Sequence, residues 1–212
     1  MRYKLSSYRL SYKLNIVFED FSVEFRIHFI FLSFDIVFLC GVNCVSSRRE
    51  QKCIDYYVNG NFDLNEMPAK MFAVYYWPPN QRQRDSCETI SFNKVLDPLE
   101  IPKSFNCDAL NIPANETVIQ AEYINSSGKT TRLLYYGNEE VKRMYRACDK
   151  AISKYILIKV NENYILGINC SAGGRGMLFS KFLPTTSEVQ AVIENEGIMT
   201  GREGTPDCPL KP

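Results

Sequence analysis

Short runs with alternating apolar and polar residues dominate the chain after residue 70. In residues 117–124, for example, Ile119, Ala121 and Tyr123 share one face and the residues between them share the other. A period of two, in runs rich in β-branched and aromatic residues, is typical of half-buried β-strands. Asn, Gly and Pro separate these runs. The predicted strands are Met71–Trp77, Cys87–Val95, Thr117–Ile124, Thr131–Tyr136, Tyr155–Val160, Tyr164–Cys170 and Gly176–Phe182.

The connections between the predicted strands favour antiparallel pairing. Residues 125–129 join two of the runs and residues 161–163 join two more, and loops this short can close only hairpins. No helical pattern lies between the strands to form a crossover. The sequence therefore predicts an all-β domain, as an up-and-down barrel or a sandwich.

One helix is predicted, near the end of the chain in residues 184–197. Thr and Ser residues can cap its first turn, Glu188 suits its positive N-terminal end, and Gly197 ends it. Its apolar stripe, Val189, Val192 and Ile193, is narrow, so we expect the helix to cover one side of another element. A single late helix packed on the outside favours the barrel over the sandwich.

Residues 1–47 predict a leader. An apolar run over residues 27–42 is interrupted by Asp35, and Val45 and Ser47 suit the −3 and −1 positions of a signal-peptidase site. The alternative is an uncleaved membrane anchor, but the run is shorter than the roughly 20 apolar residues that a span needs. We expect residues 48–212 to form one secreted domain of about 165 residues, without stable membrane insertion once the leader is removed.

The charge balance argues against a polyanionic partner. The chain has 25 Lys and Arg against 24 Asp and Glu, a net charge of +1, and the two signs are interspersed. We therefore expect no nucleic-acid binding. The short basic clusters, Arg48-Arg49 and Lys142-Arg143 with Arg146, are interpreted as solvated surface.

The cysteine and histidine content points away from an enzyme. Six of the eight cysteines follow the apolar run, whereas the single histidine, His28, lies inside it. An even number of widely spaced cysteines is typical of disulfides in an exported domain. The six include no Cys-x-x-Cys pair and no histidine partner, so we expect no metal site. Without histidine the domain cannot build a Ser-His-Asp or Cys-His arrangement, and its carboxylates show no motif for acid–base catalysis.

Three segments, residues 61–78, 159–170 and 176–184, carry a family resemblance through their order and spacing around the late helix. On these segments the chain resembles the lipocalins, and more narrowly the insect bilin-binding and insecticyanin-like group related to apolipoprotein D. Ala69 and Met71 stand where the family has the Gly and Trp of its opening motif, and Lys181 stands where most members have the Arg that packs over that Trp. The resemblance implies an eight-stranded up-and-down antiparallel barrel with one C-terminal α-helix packed outside.

The resemblance also implies a disulfide pairing, which the sequence alone leaves open among 15 connectivities. By position, Cys53 would pair with Cys170 and Cys87 with Cys208, tying the N-terminal segment and the C-terminal tail to the barrel. That would leave Cys107 to pair with Cys148.

A barrel of about eight strands has an interior just wide enough for one small ligand. The residues that alternation places toward the lumen form an apolar lining with tyrosine hydroxyls able to orient a polar group. They are Ala73, Tyr75, Ile119, Ala121, Tyr123, Leu133, Tyr135, Ile156 and Ile158. For any one of them, core packing alone is an equally good interpretation. As a set they predict a transport protein for a bilin, retinoid, carotenoid, fatty acid or odorant, with no cofactor required.

The alternative function is a secreted lipocalin that binds another protein or scavenges a mediator, as salivary and venom members do. Residues 98–113 are proline-spaced and include Cys107, as in an elaborated loop. A lumen filled by large side chains would favour this alternative, and an open cavity would favour transport. The oligomeric state cannot be read from the sequence. Two sequons, at Asn115 and Asn125, are predicted glycosylation sites, while Asn169, beside Cys170, is expected to be unmodified.

Overall fold

The computed structural model describes residues 11–18, 21–28, 42–58, 62–79, 84–96, 101, 112–113, 115–124, 128–146 and 152–212. The chain divides into two units, Met1–Cys40 and Gly41–Pro212. The predictions for Cys107, Cys148 and Asn125 lie outside the described residues.

The first unit contains a β-hairpin, in which β1 (Ser11–Phe18) pairs antiparallel with β2 (Phe21–His28). The predicted cleavage site after Ser47 lies within α1 (Val42–Tyr57), which belongs to the second unit. Removal of residues 1–47 stays a prediction. In the part of the chain that the structure describes, no helix combines the length and the apolar character needed to cross a membrane.

The second unit is built on a closed barrel of eight antiparallel strands, β3 to β10. Each strand pairs with the next one along the chain, and β10 pairs back with β3 to close the barrel. The strands are β3 (Lys70–Trp77), β4 (Glu88–Val95), β5 (Val118–Ile124), β6 (Thr130–Tyr136), β7 (Val141–Arg146), β8 (Ile152–Lys159), β9 (Tyr164–Asn169) and β10 (Arg175–Ser180). This is the up-and-down architecture of the lipocalins, so the predicted fold class is confirmed.

Among the eight strands of the barrel, the sequence pattern missed one, β7. Its residues, Val-Lys-Arg-Met-Tyr-Arg, include three basic side chains, which hide that Met144 faces the interior and Val141 and Tyr145 face outward. The interpretation of this segment as solvated surface is wrong for Lys142, which is fully buried. The Lys142 ammonium donates to the Glu139 carbonyl oxygen in the turn before β7.

The predicted helix is present as α2 (Thr186–Asn195). Thr185 caps it: its hydroxyl accepts from the Glu188 N–H, and the Glu188 carboxylate accepts from the Thr185 N–H, forming a capping box. Gly197 follows the helix with a φ of 60°, a conformation that side chains disfavour. Val189 is buried against the outside of the barrel, as the apolar stripe predicted.

One end of the barrel is closed by the segment that leads into β3. A 3-10 helix (Leu64–Glu66) places Phe62, Leu64 and Met67 against the side chains of the barrel interior. Met71, which stands where the lipocalin opening motif has Trp, is fully buried in this interior, so a thioether fills that position. We call this end, where β3, β5, β7 and β9 begin, the closed end, and the opposite end the mouth.

A second apolar layer covers the outer face of β3 and of β8 to β10. Ile54 of α1, Val189 of α2, and Ile198 and Met199 after it pack with Trp77 in this layer. A disulfide joins Cys53 of α1 to Cys170, in a 3-10 helix (Cys170–Ala172) that links β9 to β10. This is one of the pairs that the resemblance implied.

The C-terminal segment completes the wall of the barrel near the mouth. The pairing of β3 with β4 ends at Ala73 and Glu88, and beyond it β11 (Thr205–Pro206) pairs with Tyr75 and Tyr76 of β3. The second disulfide, Cys87–Cys208, also implied by the resemblance, fastens this segment next to Glu88. Two bridges therefore tie both ends of the domain to the barrel, each able to stabilise it by roughly 2–5 kcal/mol.

Candidate ligand site in the barrel

The barrel interior is filled next to its closed end. The residues that we call the lower interior are large, apolar or aromatic, and between 0% and 6% exposed. They are Met71, Phe92, Ile119, Tyr135, Leu157, Ile165 and Phe179. The Phe92 and Phe179 rings meet edge to face, with centroids 6.3 Å apart. A ligand could enter this region only by displacing side chains from a packed core.

Two stacked tyrosines form the top of the lower interior. The rings of Tyr135 and Tyr155 meet edge to face with centroids 5.3 Å apart, and both are buried. Gly167 on β9 makes room for Tyr155 and Phe179, because a Cβ there would lie 2.8 Å from Tyr155 Cε1 and 2.9 Å from Phe179 Cε2. Burial raises the pKa of both phenols, and the nearby Tyr123 phenol raises it further.

The interior residues nearer the mouth are part-exposed. Leu133, Met144 and Met177 pack on the lower interior yet keep contact with solvent. Tyr123 belongs to the same group, and Tyr76 lies opposite Met177 in the β3–β10 pairing. Burial raises the pKa of Tyr123, and the Glu88 carboxylate adds to that rise. We call these five residues the mouth residues: they combine apolar surface with two phenol hydroxyls.

A buried charge cluster lies at the β3–β4 side of the mouth. The Arg84 guanidinium contacts the Glu88 carboxylate at 2.6 Å and the Asp207 carboxylate at 3.6 Å. The side chains of Glu88 and Asp207 are 4% and 1% exposed. Burial raises the pKa of Glu88, while the Arg84 charge lowers it in part. One guanidinium thus holds two carboxylates, each next to a half-cystine of the Cys87–Cys208 bridge.

Six of the nine residues predicted to face the lumen do so. Ala73, Ile119, Ala121, Tyr123, Leu133 and Tyr135 belong to the interior cluster. Contact of any of them with a ligand stays a prediction. The six lie on β3, β5 and β6, and on β3 the alternation holds only as far as Ala73.

The prediction is wrong for the other three residues, Tyr75, Ile156 and Ile158, which lie in the outer apolar layer. Tyr75 points outward because β3 has a bulge: Leu178 faces Tyr75 and Phe179 faces Ala73, which leaves Val74 as an extra residue. For Ile156 and Ile158, the prediction placed the outer face of β8 toward the lumen.

Alternation alone could not tell which face of β8 is inside, since both carry apolar residues. Tyr155 and Leu157 point inward, opposite Lys142 and Gly167, and Ile156 and Ile158 lie outside. The outer face is apolar because the α1–α2 layer covers it. Sequence reasoning thus missed Tyr155 and Leu157. It also missed further interior residues on the other strands: Tyr76, Glu88, Ile90, Phe92, Met144, Ile165, Met177 and Phe179.

Lys142 is a further interior residue, near the closed end. Burial lowers the pKa of its ammonium, and the carboxylates of Asp63, Glu140 and Glu139 oppose that effect. Asp63 also caps the 3-10 helix that closes the barrel, accepting from the Asn65 N–H at 2.8 Å. The charge of Lys142 thus faces the closing segment and not the mouth.

Comparisons with known proteins leave the family unassigned by sequence. The chain matches no protein-family model and no curated protein. Among solved structures, lobster apocrustacyanin A1 is similar with a TM-score of 0.41 and 11% sequence identity, over 75% of this chain and 84% of that chain. The lipocalin-type architecture stated above rests on the strand order and closure of the barrel itself.

Proposed function

We propose that this protein is a secreted carrier that binds one small amphipathic molecule in the upper part of the barrel, at the mouth residues. The observation that carries the proposal is the contrast in exposure along the lumen. Leu133, Met144 and Met177 offer part-exposed apolar surface, and the Tyr76 and Tyr123 hydroxyls lie beside them. Such a combination of apolar lining and a few polar groups is typical of ligand sites.

The filled lower interior favours a compact ligand. A long or rigid molecule, such as a carotenoid or an extended bilin, would have to displace Tyr135 and Tyr155, whose rings pack edge to face, with Tyr155 also against Gly167. A short fatty acid or an odorant could contact the mouth residues without reaching these two rings. Among the predicted ligand classes, the smaller ones therefore fit best. Membership of the insect bilin-binding group stays a prediction.

Secretion is supported by the two disulfides, since disulfides persist in oxidising compartments. Asn115 is exposed in a turn before β5 and is accessible to glycosylation. Glycan at Asn115 or Asn125, and a bond between Cys107 and Cys148, are part of the same proposal. Peptide mapping of the secreted protein would test all three.

The first experiment is native mass spectrometry with an absorption spectrum on protein secreted from cells, followed by titration with short fatty acids, odorants, retinol and biliverdin. We expect one compact ligand to bind per chain. The Met177→Trp variant should weaken binding because an indole would occupy the mouth. Leu183→Trp, which changes an exposed residue outside the barrel, is the matched control. Thermal unfolding shows whether both variants fold.

One observation favours a second function, protein binding. The lower lumen is filled, and a groove of about 350 Å³ lies on the outside of the barrel. Tyr56 and Tyr57 of α1, Ile158 and Leu166 of the barrel, and the turn over residues 196–200 line it. If secreted protein carries no small molecule and refuses the whole panel, carrier function is wrong and this groove becomes the region to test with Tyr56→Ala.

A further inference from the structure

Two arginines lie at the mouth of the barrel. Arg146 is the last residue of β7 and Arg175 is the first residue of β10, so both lie at the mouth end of the barrel. Arg146 pairs with Leu133 and Arg175 precedes Met177 by two residues, which places both on the inner face of their strands. Both residues are exposed.

Within the described residues, no ion pair joins Arg146 or Arg175 to an acidic side chain. The register places Arg146 on the same inner face of the barrel as Tyr123, near the mouth. In agreement with this placement, the charge of Arg146 lowers the pKa of the Tyr123 phenol, against the larger rise caused by burial and by Glu88.

Two carboxylates at the mouth are already paired. Glu88 and Asp207 share Arg84, and both carboxylates are buried beside the Cys87–Cys208 bridge. Their negative charge is thus held inside the wall, whereas Arg146 and Arg175 are exposed.

We propose that the ligand carries a carboxylate, and that Arg146 and Arg175 bind this head group at the rim while its apolar part contacts Leu133, Met144 and Met177. The proposal rests on the carrier function proposed above. Guanidinium groups bind carboxylates through charge-assisted hydrogen bonds in a planar geometry. The Tyr123 hydroxyl, on the same inner face, supplies a further donor. A cationic ligand would meet two exposed arginines of the same sign and gain nothing from the buried carboxylates.

The test uses three ligands that share one chain and differ only in the head group: octanoate, 1-octanol and octylamine. Binding is measured by calorimetry with the secreted protein near neutral pH. We expect octanoate to bind about tenfold or more tightly than 1-octanol, and octylamine to bind most weakly. The octanoate affinity should fall as salt is raised, while the 1-octanol affinity should not.

Arginine variants locate the effect. Arg146→Gln and Arg175→Gln should each lower octanoate affinity about tenfold and leave 1-octanol affinity unchanged. Arg143→Gln is the matched control: Arg143 lies on β7 with Arg146 but faces outward, where it pairs with Glu116 at 3.3 Å. This control removes the same charge from the same strand without touching the mouth.

The outcomes separate this inference from the carrier function. Two results would contradict recognition of a carboxylate while leaving the carrier function intact. One is equal affinity for all three ligands, and the other is an equal loss of octanoate and 1-octanol binding in the arginine variants. If octylamine binds best, the site prefers a cationic head group, and the proposed carboxylate ligand is wrong. If none of the three binds and the larger panel also fails, the carrier function itself is overturned and the inference falls with it.

Discussion

The two halves of the barrel interior differ in what fills them. The lower interior consists of buried aromatic and aliphatic side chains in mutual contact, whereas the mouth residues are part-exposed and have phenols and guanidinium groups around them. Close packing stabilises a fold but leaves no space for a ligand. Part-exposed apolar surface contributes less to stability and can contact a ligand. The difference indicates that the closed end contributes most of the core packing, and it is at the mouth that we propose the ligand binds.

The largest expected effect is on stability, and it should differ between a leucine in the lower interior and a leucine at the mouth. Leu157→Ala in the lower interior should cost about 2–5 kcal/mol of unfolding free energy, because Leu157 is 2% exposed and its loss leaves a cavity. Leu133→Ala at the mouth should cost less, because solvent already reaches Leu133 and can fill the space.

The measurements are urea unfolding and octanoate titration of both variants. Leu133→Ala should weaken octanoate binding, while Leu157→Ala, measured below its unfolding midpoint, should leave the affinity unchanged. Equal stability losses in the two variants would mean that the interior is not divided in this way. Reduced binding in Leu157→Ala would place the ligand deeper than we propose.

A smaller effect tests how tightly the boundary between the two halves is packed. Gly167→Ala puts a Cβ 2.8 Å from the Tyr155 ring and 2.9 Å from the Phe179 ring, so at least one of the two rings must shift. Overpacking of this kind costs about 1–3 kcal/mol. Tyr155→Leu in the same chain should recover part of the loss, and a double-mutant cycle measures that coupling. Additive losses would show that the Tyr155 ring is not what confines Gly167.

The sequence predicts reliably which side chains face the lumen only where the alternation of apolar and polar residues is clear. Strand β5 alternates clearly, with Gln120 and Glu122 on its outer face, so Ala121 was placed correctly. On β6 both faces are apolar, because Leu134 and Tyr136 are buried on the outside of the barrel, so Leu133 and Tyr135 were placed correctly without a distinguishing pattern. On β8 both faces are apolar, because one faces the lumen and the other lies under α1 and α2, and periodicity cannot decide between them. The fold was predictable even so. It follows from the spacing of the strands and hairpins, which does not depend on which face of a strand is inside.

The remaining failures come from long-range structure. The bulge at Val74 reverses the alternation of β3, and nothing in its sequence signals this, because pairing with β10 and β11 produces it. Lys142 was assigned to the surface by its charge, yet the turn carbonyl of Glu139 and the nearby carboxylates hold it inside. The Arg84–Glu88–Asp207 cluster joins residues more than 100 positions apart, which no local pattern reveals.

The smallest of the three effects concerns the buried carboxylate at the mouth. Burial raises the pKa of Glu88 above its unfolded value, which is about 4.3. The folded protein therefore holds more protons than the unfolded chain between these two pKa values, so the unfolding free energy must fall as pH rises through that window. Glu88→Gln cannot ionise and should lack this part of the pH dependence, although Arg84 keeps Asp207 as its partner.

Urea unfolding of both proteins between pH 4 and pH 7 measures the difference, and we expect the wild type to lose stability relative to Glu88→Gln as pH increases. Glu122→Gln, which removes a part-exposed carboxylate paired with Arg132 at 2.9 Å on the outer wall, is the control. Parallel curves for wild type and Glu88→Gln would mean that Arg84 fully compensates burial. In that case Glu88 would be an ordinary ion-pair residue of the barrel wall.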